Sequence, residues 1–472
     1  VIGDFGHWRA MMNKLIEIFP AEVAERLPQV EDFLKKHNLL AEQYDFDGEK
    51  KRLIAAMRCG LEHKDSDMAM LPTYLGSEIR RDLPAETVLV LDIGGTNLRA
   101  GLVRVSGDET VLLKSKSCGL PGKNSNIDYL DFLRELANFF KPYLSDEISR
   151  MAICFSFAAD IEEDKTAKIL AWSKEVKISD AAGRNLVRDL QAVCREQGLP
   201  VLPMRVANDS TAALLSILQT TAKNNYSGPI GIIHGTGFNC ALPTAAWPKL
   251  AGSYPLNMLV NTEMGNYTIG NRGDIDRYLD EISTLPNDHV LEKLLSGEYL
   301  GKLSGMTILA AAGVKSAFHG HDDIVSGKPI LNICNCNSDV IEEFTRLSNA
   351  SVSMFLQNVS DYPEFWNRCF PTEESRSVVR QLLAAIYERA AKLVTIVLAA
   401  VTAMLPQKST AEGDLGKTAV LIEGSTYHKS FALADLFKYY LAKAGLADKY
   451  VFLSPRDNAN LLGTALSWHL AE

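Results

Sequence analysis

Two glycine turns offer the plainest chemistry in this chain. Apolar residues at 88–91 lead through Asp92 and Ile93 to Gly94, Gly95, Thr96 and Asn97, and those at 230–233 lead through His234 to Gly235, Thr236, Gly237, Phe238 and Asn239. Phosphate chelation by a turn needs backbone N–H groups that can approach oxygens closely, and glycine permits both the tight dihedrals and the approach. Thr96 and Thr236 add hydroxyl donors at the same tips. Asp92 stands where a carboxylate would hold Mg²⁺ through water. One such turn alone is what any hairpin tip provides, and the repetition gives the pair its weight.

A hydroxyl attacking a phosphoryl group needs a carboxylate to accept or orient its proton, a role worth ~10² to 10⁴ in rate. Asp209, in the run Val206-Ala207-Asn208-Asp209-Ser210-Thr211, is the candidate. It follows an apolar strand and precedes a helical pattern, the place where α/β proteins present ligand-binding groups. Capping of that helix is the competing reading. Asn208, Asn239, Glu263 and Glu292 add the amides and carboxylates that bind several hydroxyls at once.

The elements that must position these groups are legible as patterns. Residues 9–40 carry helical spacing, interrupted around Pro20 and Pro28. From Thr87 the run VLVLDI, the Gly-Gly-Thr turn and LRAGLVRV read as a β-hairpin, with a third strand at VLLKSKS. Helical spacing at 128–144, a buried strand MAICFSF at 151–157 and another at 201–206 begin an αβ alternation. The second glycine turn repeats the first, strand for strand, so a duplicated nucleotide-binding core is expected. Beyond residue 275 the pattern is mainly helical, then TAVLIEG at 418–424 meets a Gly-Ser-Thr turn and a terminal helix closes the chain.

Composition bounds the rest. A chain of 472 residues exceeds what one core usually serves, so two lobes are expected. The formal net charge of -9 opposes general affinity for nucleic acid, whose phosphates need a basic face. The eight cysteines are scattered, with Cys334 and Cys336 the one close pair, which is too sparse for zinc and suits a reducing compartment. The apolar run at 393–405 is shorter than the ~18 to 20 residues of a bilayer span and reads as a buried helix. No membrane segment and no secretory signal are recognised, so a cytoplasmic location is expected.

Taken in order, the motifs resemble the eukaryotic-type hexokinases and glucokinases over nearly the whole chain. LDIGGTNLRAGLV at 91–103 is similar to that family's first phosphate motif, FSF at 155–157 to its first sugar segment and WSKEVKI at 172–178 to its lysine-bearing loop. VANDSTAALLS at 206–216 resembles the catalytic aspartate motif, and GTGFN at 235–239 the second phosphate loop. NTEMGNY at 261–267, LEKLLSGEYLGKL at 291–303 and IEGSTY at 422–427 resemble the glutamate segment, the following helix and the adenosine segment.

The resemblance implies a two-lobed, actin-like (ribonuclease H-like) α/β ATPase fold with a cleft between a large and a small domain. The large domain would take 1–86 and 211–456, the small one 87–210 and 457–472. It implies a single catalytic unit, monomer or homodimer, that uses ATP with Mg²⁺ to phosphorylate the 6-hydroxyl of glucose and related hexoses. Asp209 would be the general base and Lys174 would neutralise charge on the moving phosphoryl group. Ser156, Ser173, Lys174, Asn208, Asp209, Asn239, Glu263 and Glu292 would bind sugar. Asp92, Gly94, Gly95, Thr96, Asn97, Arg99, Gly235, Thr236, Gly424 and Ser425 would fall to ATP, with Asp92 nearest the metal.

Departures from the pattern stand beside it. Ala158 replaces a usual proline, Ser173 and Ser210 replace threonines, and Lys302 replaces a glutamate. At 456–466 only Gly463 remains of the family's glycine run. The histidines have no partner spacing that demands a role. The rival readings are a sugar sensor that keeps the fold without useful turnover and an actin or heat-shock type ATPase; a third, the bacterial sugar kinases with a zinc-binding cysteine cluster, lacks its cysteines here.

Overall fold

Each glycine turn is the tip of a hairpin, and each hairpin is the centre of its own sheet. The computed structural model describes residues 26–63, 66–123, 125–170, 172, 176–250, 254–255, 257–357, 364–406 and 416–471. The strands that matter are β1 (Leu71–Pro72), β2 (Glu86–Ile93), β3 (Asn97–Val105), β4 (Thr110–Gly119), β5 (Met151–Phe155) and β6 (Met204–Ala207). They continue as β7 (Ser227–His234), β8 (Phe238–Thr244), β9 (Met258–Asn261), β10 (Thr418–Glu423) and β11 (Tyr450–Phe452). One sheet of five strands has the order β6-β5-β2-β3-β4, and one of six has β1-β9-β8-β7-β10-β11.

The two sheets have the same plan. In the first, β2 pairs antiparallel with β3 and β3 with β4, while β5 and β6 extend the other side in parallel. In the second, β7, β8 and β9 form the antiparallel side, and β10 and β11 the parallel one. The short echo between the turns at 94 and 235 was therefore the visible trace of a repeated strand topology. Runs such as VLVL and MAICF are apolar on both faces, as buried parallel strands require.

Helices α1 (Pro28–Lys36), α2 (Tyr129–Phe140), α3 (Leu186–Glu196), α4 (Asp209–Lys223), α5 (Asp274–Glu281) and α6 (Val290–Leu295) are followed by α7 (Gly297–Ala311), α8 (Glu373–Thr402), α9 (Ser425–Lys429), α10 (Leu433–Lys443) and α11 (Ala459–Leu466). Helices α2 and α3 bury Phe132, Leu136, Leu190 and Cys194 against the β2 sheet. A larger core gathers α7, α8 and α10 around β7, β8 and β9.

Helix α4 follows β6 yet packs on β7, where a Cβ on Gly231 would lie 2.6 Å from Leu214 N. Helix α11 follows β11 yet shares a core with Val88, Val90, Val103 and Ala152 of the β2 sheet. The two helices cross at Gly463, whose absent Cβ would stand 1.9 Å from Ala212 O.

Pro28 begins α1 after the non-helical residues 26–27, since the first turn has no intrahelical use for the missing N–H. The segment before residue 26 lies outside the described residues. Lys302, a departure without a sequence-level reason, reaches Glu298 one turn earlier in α7 at 2.5 Å, an i,i+4 pair. The run at 393–405 enters α8 as the buried helix expected, with every residue from Leu393 to Val401 buried, and no helix among the described residues is long and apolar enough to cross a membrane.

Candidate active site

Strand register brings the first group of polar residues together. Asp92 on β2 stands beside Cys154 on β5, and Cys154 beside Ala207 on β6, all at the carboxyl ends of parallel strands. The chain past those ends supplies Ser156, Asn208 and Asp209. Ser156 is held there by its backbone N–H, which donates to Ile93 O at 3.1 Å. This is the edge at which open α/β sheets bind ligands.

Asp92 is 2% exposed. Its Oδ2 lies 3.4 Å from Arg99 Nε, its partner across the hairpin, while Oδ1 makes no hydrogen bond within the described residues. Burial pushes its carboxyl above the usual range, the Arg99 guanidinium works against that, and the charge of Asp209 adds to it. Gly94, Gly95 and Thr96 close the tip, with Gly94 N donating to Asn97 O at 3.0 Å.

Asn208, not Asp209, caps α4. Its Oδ1 accepts from Ser210 N at 2.9 Å and from Ser210 Oγ at 2.8 Å, so the serine that replaces threonine keeps the hydroxyl contact. Asp209 is the first helical residue, and its Oδ1 accepts from Ser210 N at 2.8 Å. Capping therefore does not account for the acid.

A chain of amides runs from this cap to two glutamates. Asn239 Nδ2, on β8, donates to Asn261 Oδ1 at 2.8 Å and lies 3.4 Å from Asn208 Oδ1. Asn261 Nδ2 in turn donates to Glu263 Oε1 at 2.7 Å. Burial raises the Glu263 carboxyl, the Asn261 hydrogen bond and the charge of His289 oppose the rise, and the charges of Asp209 and Glu292 add to it. Glu263 itself takes a left-handed backbone, φ 53°. Glu292, in the first turn of α6, accepts from Phe238 N at 2.9 Å. Gly237 permits this, since a Cβ there would be 2.7 Å from Glu292 Oε2.

The second glycine tip is braced from behind. Gly235 O accepts from Gly297 N at 2.9 Å and from Thr426 Oγ1 at 2.7 Å, which ties the tip to the starts of α7 and α9. Glu298 N donates to Thr236 O at 3.3 Å. Gly424, at φ 126°, lies so close that its Cβ would be 2.5 Å from His234 O. Ser425 opens α9 beside it. Under the tip, His234 is 1% exposed, bonds Leu295 O through Nε2 at 2.8 Å, and has its pKa lowered to about 4 by burial.

Ser173 and Lys174 lie outside the described residues. Trp172 beside them packs edge-on against Phe155 and Phe157, with centroids 5.4 and 4.6 Å apart. Four residues join the site that the motifs did not nominate: Asn261, His289, Cys154 and Glu423. Burial raises the Glu423 carboxyl while His428 and Arg99 oppose it, so an acid at the end of β10 shares Arg99 with Asp92. A signal existed for Asn261, which opens the quoted run at 261–267 two residues before Glu263. Cys154 directly precedes the segment 155–157 and Glu423 lies within 422–427, whereas His289 lies in no quoted motif.

Comparison with known proteins gives a consistent picture. A family model described as Hexokinase matches residues 29–218, and its companion, also described as Hexokinase, matches 229–470. Hexokinase-2 of Candida albicans is 25% identical over 472 aligned positions, covering 94% of this chain and 93% of that protein. Hexokinase-7 of rice (Oryza sativa subsp. japonica) is 29% identical over 300 positions, which span 58% of this chain and 62% of the rice protein. The solved structure of hexokinase from Schistosoma mansoni complexed with glucose superposes with a TM-score of 0.72 at 20% identity, covering 97% of this chain and 98% of that one.

Proposed function

The chain belongs to the hexokinase family, and on that premise we propose that it transfers the γ-phosphoryl group of ATP to the 6-hydroxyl of glucose and related hexoses. The observation that carries the reading is the amide and carboxylate series Asn208, Asn239, Asn261, Glu263 and Glu292 beside Asp209, between two glycine tips. Asp209 and Glu292 both act by charge on the buried Glu263, and carboxylates so grouped accept from a polyol's hydroxyls. Such donors would also relieve the burial that holds Glu263 above its usual range.

In this reading Asp209 takes the proton of the attacking hydroxyl, while Asn208, Asn239, Glu263, Glu292, Ser156 and Ser173 orient the sugar. Lys174 faces the charge of the moving phosphoryl group. Gly94, Gly95, Thr96, Asn97 and Arg99 of one tip and Gly235, Thr236, Gly424 and Ser425 of the other receive ATP. Asp92, with one buried oxygen that has no hydrogen-bond partner among the described residues, fits a Mg²⁺ ion, which when bound would offset the negative charge of the phosphates. Lobe closure over the sugar excludes water, so the alcohol and not solvent is phosphorylated.

The strand membership of the sheets supports assigning 1–86 and 211–456 to the large lobe and 87–210 and 457–472 to the small one. Eight free thiols suit a cytoplasmic setting.

The test is a panel of hexoses with MgATP in which phosphorylated sugar is followed directly alongside ADP. Sugar phosphate formed in step with ADP is expected. Sugar binding by calorimetry without turnover would identify a sensor instead, and ADP release indifferent to sugar would identify a general ATPase.

A further inference from the structure

Lys302, the departure in α7, belongs to the wall behind the second glycine tip. Helix α7 backs that tip with its N-terminus: Gly297 N donates to Gly235 O at 2.9 Å and Glu298 N to Thr236 O at 3.3 Å. Its 15 residues aim a partial charge of roughly +0.5 at the turn, which favours a phosphate there. Glu298 stands in the first turn of α7 and opposes that field with a full negative charge. Lys302, one turn on, answers it with Nζ at 2.5 Å from Glu298 Oε1.

Both side chains keep part of their surface in water, 40% for Glu298 and 33% for Lys302, so as a helix pair they add little to stability. Their place matters more. The Glu298 Cα lies within about 5 Å of Thr236 O, one N–Cα bond beyond the hydrogen bond, and a glutamate side chain spans about 5 Å more. In any rotamer the carboxylate therefore stands within about 10 Å of the tip, a distance that salt at about 0.1 M only partly screens.

Other acids share this wall. The Tyr299 phenol is pushed up to about 12, by burial first and then by the charges of Glu292, Glu298, Asp280 and Asp288. Lys293 is committed to Asp280, with Nζ 2.5 Å from Oδ1. The Lys302 ammonium lies 5.3 Å from the Tyr299 ring centroid, so its charge enters the field of the same acids. Without it, the phosphate tip would back onto uncompensated carboxylate.

On the reading that this tip receives ATP, we propose that the Glu298–Lys302 pair sets its affinity for the phosphates of the nucleotide, the acid weakening it and the lysine restoring it. A pair that serves only the helix would make loss of either partner act in one direction. An electrostatic pair makes the two losses act in opposite directions. Calorimetry on the full chain with the non-transferable β,γ-imido analogue of ATP and Mg²⁺ separates the two. At about 0.1 M salt, Glu298→Gln should bind the analogue about threefold more tightly and Lys302→Gln about threefold more weakly. The double variant should return to the native affinity, and at about 1 M salt, where the Debye length is about 3 Å, the differences should close. Glucose affinity, measured alone, should match the native value in all three variants. Shifts of the same sign, no shift, or an equal shift in glucose affinity would each overturn this role and leave the ATP site standing. A native protein that fails to bind the analogue would overturn the ATP site and the role of the pair together.

Discussion

At the scale of single residues, the division of labour between Asn208 and Asp209 decides what each substitution should do. The asparagine satisfies the helix start, so Asp209→Asn removes proton acceptance without removing the cap. Turnover should fall by at least ~10²-fold while glucose affinity stays within an order of magnitude; steady-state kinetics showing unchanged kcat would take Asp209 out of the base role. Asn261 presents the contrasting case, since it touches Asn239 on one side and Glu263 on the other. Asn261→Ala should leave both partners misaligned, raising the hexose KM about tenfold with the ATP KM little changed. Equal effects on both substrates would mean a general loss of structure. The acid at 209 and the glycines were legible because strand, turn and helix boundaries mark them locally. His289, Cys154 and Glu423 were not, because a single imidazole, thiol or carboxyl has no local pattern of its own, and only long-range pairing shows which groups it meets.

Elements carry the next level of consequence, and the second glycine tip shows it best. Its strand ends in His234, buried among Leu295, Phe238 and Tyr427 where an imidazolium is poorly solvated. With a folded pKa of about 4 against 6.5 unfolded, the ring is neutral in the native state across the mildly acidic range. The unfolded chain binds the proton first as pH falls. Stability from this group is therefore complete above about pH 6.5 and is lost progressively down to about pH 4. Between pH 7 and pH 5 the loss should be about 2 kcal/mol. Urea unfolding of the native protein and of His234→Leu at both pH values checks it: the variant should show a smaller drop by that amount, and equal drops would acquit the histidine. The helices and strands themselves were mostly readable from periodicity, and the repeat of strand–turn–strand foretold the matched sheets. Pro28 marks a helix start, in keeping with the interruption read there, because proline is tolerated in a first turn and not in a helix interior.

For the whole molecule, the crossing of α4 and α11 is the structural fact from which lobe behaviour follows. Each helix leaves one sheet and packs on the other, so the pair joins the lobes by exchange rather than by a linker. Gly463, the one glycine kept of the family's run at 456–466, is explained by contact: a Cβ would meet Ala212 O at 1.9 Å and Ser216 N at 2.8 Å. Both atoms belong to helix backbone and neither can swing aside. Gly463→Ala must therefore push the two helices apart, an overpacking cost of about 1 to 3 kcal/mol. Because α4 begins at Asp209, the displacement also moves the acid relative to the glycine tips, and proximity effects make such shifts expensive. The variant should melt earlier and lose kcat, with its loss of stability read from urea unfolding and its activity from product formation at saturating sugar and ATP. A variant as stable and as active as the native protein would show that the helices have room to spare at this crossing, and that lobe geometry is set elsewhere.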